Sequence, residues 1–379
     1  MQSKISVLQI IPHLDVSGAS QGCIDIANYL SKNNHNSYVA THSGPGINKI
    51  SNYNENVFLL PVDSKNPITM ILNIFRIGKL IKKLEIDILH VRSRAPAWSC
   101  FFVSKLTGVR LVSTFHGTYN FTNPLKKFYN SIMLKTDGTI AISNFIMSEI
   151  NTKYSRKKNI IRTISRGIDL DFFNPENTDQ DENKEIDNKL KINSQAIKVL
   201  LPGRLTGWKG HMLLLKALKI IFENTTHDIE IIFVGPDENK ILKSNLINFA
   251  KQNNFYEKLH IVGSSNKINK FYIYADIIVS ASTDPEAFGR TSVEAQAMGK
   301  FVIASNHGGS KETIIDGKTG YLFDPLNEVD LSNKIMQAIE EEKHKSDEVK
   351  KQCIRNAKEN FSKTKMCLET YNFYKKVLE

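Results

Sequence analysis

DPEAFGRTSVEAQAMG, residues 284–299, decides how the rest of the chain is read. It follows IIVSAS (277–282), an apolar run of the kind that forms a buried strand. Start and stop signals place a helix from about Thr291, with Gly299 as its C-terminal stop. Two carboxylates, Glu286 and Glu294, bracket a Phe288-Gly289-Arg290 turn. Thr291 and Glu294 match a capping box, so capping its own helix is one role open to Glu294. Glu286 lies in the loop ahead of the helix and has no such role. A loop carboxylate beside free helix N–H groups suits a ligand bearing both hydroxyls and phosphate. Carboxylates accept from vicinal hydroxyls, and helix N–H groups favour anions.

Outward from this stretch, strand and helix patterns alternate along the whole chain. ISVLQII (5–11), SYVATH (37–42), NVFLLPV (56–62), DILHV (87–91), VRLVSTF (109–115), GTIAIS (138–143) and NIIRTI (159–164) read as strands. A polar stretch, 172–195, follows and holds no strand pattern. The alternation then restarts with AIKVLLPG (196–203), IEIIFVG (229–235), KLHIVG (258–263), IIVSAS, KFVIAS (300–305) and TGYLF (319–323). Continuous apolar strands separated by helices predict parallel sheets covered on both faces. At 379 residues the chain exceeds a single core. The expectation is an α/β protein of two doubly wound domains: 1–175, a linker at 176–195, and 196–360. An amphipathic C-terminal helix, 361–379, returns to the first domain. Ligands of open α/β sheets bind at the carboxyl ends of the strands, so a cleft between the domains is expected there.

Composition narrows the class. No apolar run approaches a membrane span, and the N-terminus lacks a signal-peptide layout, so a cytoplasmic protein is expected. The four cysteines are scattered without metal spacing, which predicts free thiols rather than disulfides or zinc. The net charge of +11 is uneven: 21 Lys and Arg face 10 Asp and Glu up to Pro175, and the remainder holds 29 of each. A basic first half suits an anionic partner such as a membrane surface. The basic run Lys153, Arg156, Lys157, Lys158 and Arg162 has little aromatic interleaving, so nucleic acid is not expected.

Three further strand-to-helix loops carry candidate chemistry. Gly18, in PHLDVSGASQ (12–21), lets backbone approach a phosphate at a helix start, or serves packing alone. His116, in TFHG, ends a strand and either meets a sugar hydroxyl or bonds to local backbone. GRLTGWKG (203–210) sets Arg204 and Lys209 around a glycine turn, where a bidentate guanidinium and a point charge suit a diphosphate. Arg92 and Arg94 end another strand, as acceptor-binding cations or a solvated rim. Asp169-Leu170-Asp171 spells DxD at the edge of the polar stretch, away from any strand end, and no metal site is expected there.

GASQ, TFHG, SRGID (165–169), GRLTGWKG and EAFGRTSVE, in this order, resemble the retaining glycosyltransferases of the GT-B fold, glycosyltransferase family four. The resemblance covers nearly the whole chain. It implies that Arg204 and Lys209, helped by the Gly18 backbone, hold the diphosphate of a nucleotide-sugar donor. Glu294 would hold the ribose, and Glu286 with the backbone around Phe288 and Gly289 the donor sugar. His116 would sit at the reacting centre, making His116, Glu286, Arg204 and Lys209 the catalytic group. It implies front-face transfer to a glycan or lipid-linked acceptor, with retention and with no metal or cofactor, in cell-surface polysaccharide synthesis. Two departures stand out: Arg290 replaces a usual aliphatic residue, and the first loop has one glycine where many relatives have two. A nucleotide-sugar epimerase and a non-catalytic binding protein are the alternatives. Donor turnover without acceptor would mark the epimerase.

Overall fold

The computed structural model describes residues 4–15, 17–119, 123–154, 159–177, 186–237 and 239–379. By contacts the chain forms two units. Unit 1 is Met1–Gly167 with Lys363–Glu379, and unit 2 is Ile168–Ser362.

Unit 1 is built on seven strands: β1 (Ser6–Ile10), β2 (Asn36–Thr41), β3 (Val57–Leu59), β4 (Ile88–Val91), β5 (Arg110–Phe115), β6 (Gly138–Ala141) and β7 (Ile160–Thr163). They order as β3-β2-β1-β4-β5-β6-β7, and every pairing is parallel. Unit 2 uses β8 (Ile197–Pro202), β9 (Ile229–Val234), β10 (Leu259–Gly263), β11 (Ile277–Ser280), β12 (Phe301–Ser305) and β13 (Gly320–Phe323). Their order is β10-β9-β8-β11-β12-β13, again all parallel. In each sheet the order reverses once, between β1 and β4 and between β8 and β11. That switch point opens a crevice at the carboxyl ends of the strands, because the crossovers on its two sides leave by opposite faces. The central strands are buried on both faces, as their unbroken apolar runs require.

Strand ends differ from the sequence reading by a residue or two at most places. NVFLLPV shrinks furthest, to Val57–Leu59. Pro61 has no N–H for a ladder, and Val62 N already turns back to Leu60 O at 2.7 Å.

The helix Lys363–Leu378 belongs to unit 1. Met366, Cys367, Tyr371, Phe373, Tyr374 and Val377 pack with Val7, Ile26, Leu30 and Val112 in one cluster. Gly138 at the start of β6 admits it: a Cβ there would lie 2.7 Å from Val377 Cγ2. The polar stretch is less free than its composition predicts. Residues 178–185 lie outside the described set, but the remainder is anchored to unit 2. Phe173 stacks edge-on against Tyr272, Tyr274 donates to Asp187 at 2.5 Å, and Ile192 is buried. All four cysteines are buried and unpaired, and burial pushes Cys353 and Cys367 up to about 12.

Candidate active site

In unit 2 three loops converge on Glu286. The loop after β8 turns on Gly203 (φ +150°) and Gly210 (φ +77°). Close approaches require glycine at Gly210 and, in the loop after β9 opposite Gly203, at Gly235. A Cβ on Gly210 would lie 1.8 Å from Ala281 O, and one on Gly235 would lie 1.9 Å from Gly203 O. Residues Gly207–Lys209 form a single 3-10 turn, and the following helix begins at His211. Trp208 O accepts from Thr283 N at 2.7 Å and from Thr283 Oγ1 at 3.2 Å, which ties this loop to the one after β11.

Across that tie Lys209 Nζ donates to Glu286 Oε1 at 2.5 Å while lying 4.4 Å from the centre of the Trp208 ring. Ser282 Oγ donates to the same Oε1 at 2.6 Å. Both bonds land on one oxygen, which leaves Oε2 for a ligand hydroxyl. The pair is only 15% and 12% exposed, so its attraction is weakly screened. The sequence motifs placed these two residues in separate loops; the fold joins them.

A third loop, Asn306-His307-Gly308-Gly309 after β12, escaped the sequence reading. Gly309 N donates to Glu286 O at 2.7 Å. A Cβ on Gly308 would lie 2.5 Å from that oxygen, and one on Gly309 2.5 Å from Phe288 Cα. Adjacent glycines directly after a strand were the available signal.

The helix of the opening stretch is Arg290–Ala297, capped by Gly289 in the left-handed region (φ +86°) without any side-chain cap. The capping-box expectation for Glu294 fails. Its Oε1 accepts from Arg290 Nε at 2.6 Å and its Oε2 from the buried Tyr272 hydroxyl at 2.9 Å. Glycine can start the helix because its backbone bends into it without strain, and Glu294 is held one turn further in. Arg290 therefore has a clear place, as the i to i+4 partner that orients Glu294. Phe288 is buried, edge-on to Phe361. Arg204 stands exposed on the β8 loop.

In unit 1, Gly18 is the first residue of the helix Gly18–Lys32, and Ser17 caps that helix by accepting from Ser20 N. A Cβ on Gly18 would meet nothing within 4 Å, so packing does not demand glycine there. His116 follows β5. Its Nδ1 is bonded to the Arg166 guanidinium, and its Nε2 is buried without a partner among the described residues. Burial, then the charges of Arg166 and Arg92 and the nearby His90, hold its pKa well below the usual histidine range. Arg92 is not a solvated rim residue. It is 3% exposed, with Nε and Nη2 on Gln9 Oε1 at 2.8 and 2.5 Å. Arg94 donates to Asn130 Oδ1 at 3.0 Å and stacks 4.4 Å over Tyr119. Asp169 Oδ1 accepts from Asp171 N at 3.1 Å, so the DxD spelling is a local turn. Among the described residues no cluster of three or more His, Cys, Asp or Glu could hold a metal ion.

Residues 16–172 match the Glycosyltransferase Family 4 profile, and residues 182–360 match Glycosyl transferases group 1. The chain is 33% identical to a glycosyltransferase crystal structure from Rickettsia africae, covering 100% of this chain and 99% of that one at a TM-score of 0.90. The chain belongs to glycosyltransferase family 4. Its architecture is the GT-B fold. Anabaena HepE in complex with UDP and glucose shares that fold at a TM-score of 0.84 and 18% identity, over 98% of this chain and 100% of that one. Among curated relatives, spore coat protein SA of Bacillus subtilis is 25% identical over 79% of this chain and 81% of its own. Lipopolysaccharide 1,2-N-acetylglucosaminetransferase of Salmonella typhimurium is 31% identical over 44% of this chain and 45% of its own. In this glycosyltransferase Gly18 follows β1, and Arg204, Lys209 and Glu286 follow β8 and β11, strands that flank the two switch points, while His116 follows β5.

Proposed function

We propose that this glycosyltransferase moves a sugar from a nucleotide-diphosphate sugar to an acceptor hydroxyl with retention of anomeric configuration. The observation that carries the reading is the Lys209–Glu286 pair. It fixes a cation and a carboxylate side by side at the β8 and β11 loop ends. That is the pairing a sugar diphosphate requires, with the charge for phosphate and the acceptor atom for sugar hydroxyls. Lys209 and Arg204 stabilise the charge that grows on the departing diphosphate, helped by the N-terminus of the helix at Gly289. Glu286 Oε2, with backbone around Phe288 and Gly289, binds the donor sugar. Glu294 binds the ribose, sharing oxygens already engaged by Arg290 and Tyr272. Gly18 backbone and His116 serve the diphosphate and the sugar. Lys209 and Arg204 supply the charge neutralisation that a divalent ion gives elsewhere, so transfer is expected to persist in a chelator.

HepE, of the same fold, binds UDP and glucose, which makes a UDP sugar the first donor to try. The Salmonella relative acts on lipopolysaccharide, and that supports a glycan or lipid-linked acceptor in cell-surface polysaccharide synthesis. Unit 1 supports a membrane surface as a further partner. It carries 25 Lys and Arg against 10 Asp and Glu, while unit 2 holds 25 against 29. Its helix Pro67–Leu84 exposes Ile68, Ile71, Leu72 and Phe75 on one stripe, continued by Lys79, Lys82 and Lys83. An apolar stripe flanked by lysines suits an anionic lipid interface. Among the described residues no helix is long and apolar enough to cross a membrane. Buried unpaired thiols suit a reducing compartment, so action at the cytoplasmic face is proposed.

The test is transfer from candidate donors, with the product anomer read by NMR. Retained configuration, and losses of about 10²-fold or more in kcat for Glu286→Ala and Arg204→Ala, are expected. Inverted product, or variants as active as the parent, would overturn the reading. Donor turnover with no acceptor would favour the epimerase.

A further inference from the structure

We propose that Arg166, admitted by Gly22, is a positioning residue that locks His116 as a neutral Nε2–H donor, so that His116 serves transfer by donating a hydrogen bond and not by taking a proton. The inference rests on the glycosyltransferase reading only for what His116 does in turnover; the lock itself stands on geometry.

A guanidinium has five N–H donors, no acceptor, and does not lose its charge in proteins. The bond between Arg166 and His116 Nδ1 therefore makes Nδ1 the acceptor. A neutral imidazole that accepts at Nδ1 carries its proton on Nε2. That Nε2 is buried and finds no acceptor among the described residues. A buried donor without a partner is unfavourable and uncommon. Here it is a donor held ready for an oxygen of a bound molecule.

Two features hold Arg166 in place. It is 8% exposed, so its guanidinium cannot swing into bulk water. It also lies over Gly22, in the interior of the helix Gly18–Lys32. A Cβ on Gly22 would sit 2.0 Å from Arg166 Nη1. Glycine is unfavourable inside a helix, and here its missing side chain is the space the guanidinium occupies. Among the described residues the groups that bear electrostatically on His116 are Arg166, Arg92 and His90, with no carboxylate among them. His90 is itself fixed by Tyr374 Oη at 2.6 Å and Thr114 Oγ1 at 2.7 Å. Nothing on that side favours a second proton on His116.

The experiment is long-range ¹H–¹⁵N NMR of ¹⁵N-histidine-labelled protein, with His116 assigned by loss of its signals in His116→Gln. The parent should show His116 as the Nε2–H tautomer with no titration between pH 5 and 8. Arg166→Gln and Gly22→Ala should each bring tautomer exchange and an upward move of its titration. Both should lower kcat at least 10-fold and add an acid limb to its pH profile. Arg166→Lys, which keeps a donor, should restore the tautomer in part. An Nδ1–H tautomer in the parent, or titration there between pH 5 and 8, would overturn the lock. So would variants with unchanged His116 spectra. If the spectra hold while no donor is turned over, the lock stands and the functional reading falls.

Discussion

At the residue scale the site is a set of polar groups whose partners the fold selects. Lys209 and Glu286 are 77 positions apart in sequence, and no local pattern announces that they touch. Their loops were legible because glycines at strand ends have few other uses. The pairing was not, because it depends on β8 and β11 being neighbours. Arg290 looked anomalous in sequence and is explained once Tyr272 is seen on the other oxygen of Glu294. His211, directly after Gly210, is buried, and neither ring nitrogen has a partner among the described residues. Burial, and then the Lys209 charge, lowers its pKa to about 4. The native state keeps it neutral while the unfolded chain protonates near pH 6.5. Its folded pKa is the depressed one, so stability is fully present above pH 6.5 and is lost as pH falls toward 4. The loss reaches roughly 3 kcal/mol at the lower end. His211→Phe should remove much of this slope. Urea unfolding at pH 8 and pH 5 checks it, and an unchanged slope in the variant would contradict the assignment.

At the element scale the thirteen strands were readable because parallel strands buried on both faces are nearly uninterrupted apolar runs. Their ends were less so: where Pro61 or a glycine intervenes, backbone hydrogen bonding rather than hydrophobicity sets the limit. The capping-box reading of Thr291 and Glu294 failed for the same reason. A left-handed Gly289 starts the helix one residue earlier and leaves Glu294 for tertiary partners. The C-terminal helix Lys363–Leu378 shows the converse case. Its amphipathic pattern does not say which core it joins, yet Phe373 and Tyr374 are among the largest fully buried side chains of the described residues, and they complete the unit 1 core. Phe373→Ala should destabilise unit 1 by about 3–5 kcal/mol. Unfolding followed by a probe in each unit would show the loss confined to the first; an equal loss in both would show that they unfold as one.

At the scale of the whole molecule the charge asymmetry is sharper than the sequence halves suggested. Reassigning 168–175 to unit 2 and 363–379 to unit 1 leaves the first unit at a net of +15 and the second at −4. The exposed stripe Ile68, Ile71, Leu72 and Phe75 lies on the helix Pro67–Leu84. Sequence periodicity gives a helix its faces but does not say which one the protein covers; here Asn73, Ile77 and Ile81 are the buried face. The chain should bind vesicles containing anionic lipid, release them as salt rises, and bind more weakly as Phe75→Ser. Equal partitioning to neutral and anionic vesicles would remove the membrane from the account.

The central claim is that unit 2 holds a nucleotide-sugar donor through Arg204, Lys209 and Glu286. A thermal-shift panel of nucleotide sugars tests it most directly, because a ligand of the native state raises apparent stability with the logarithm of its saturation. One donor class should raise the unfolding temperature of the parent, and the rise should vanish in Arg204→Ala and Glu286→Ala. A panel in which no nucleotide sugar shifts the parent, or in which the shift survives in both variants, would contradict it.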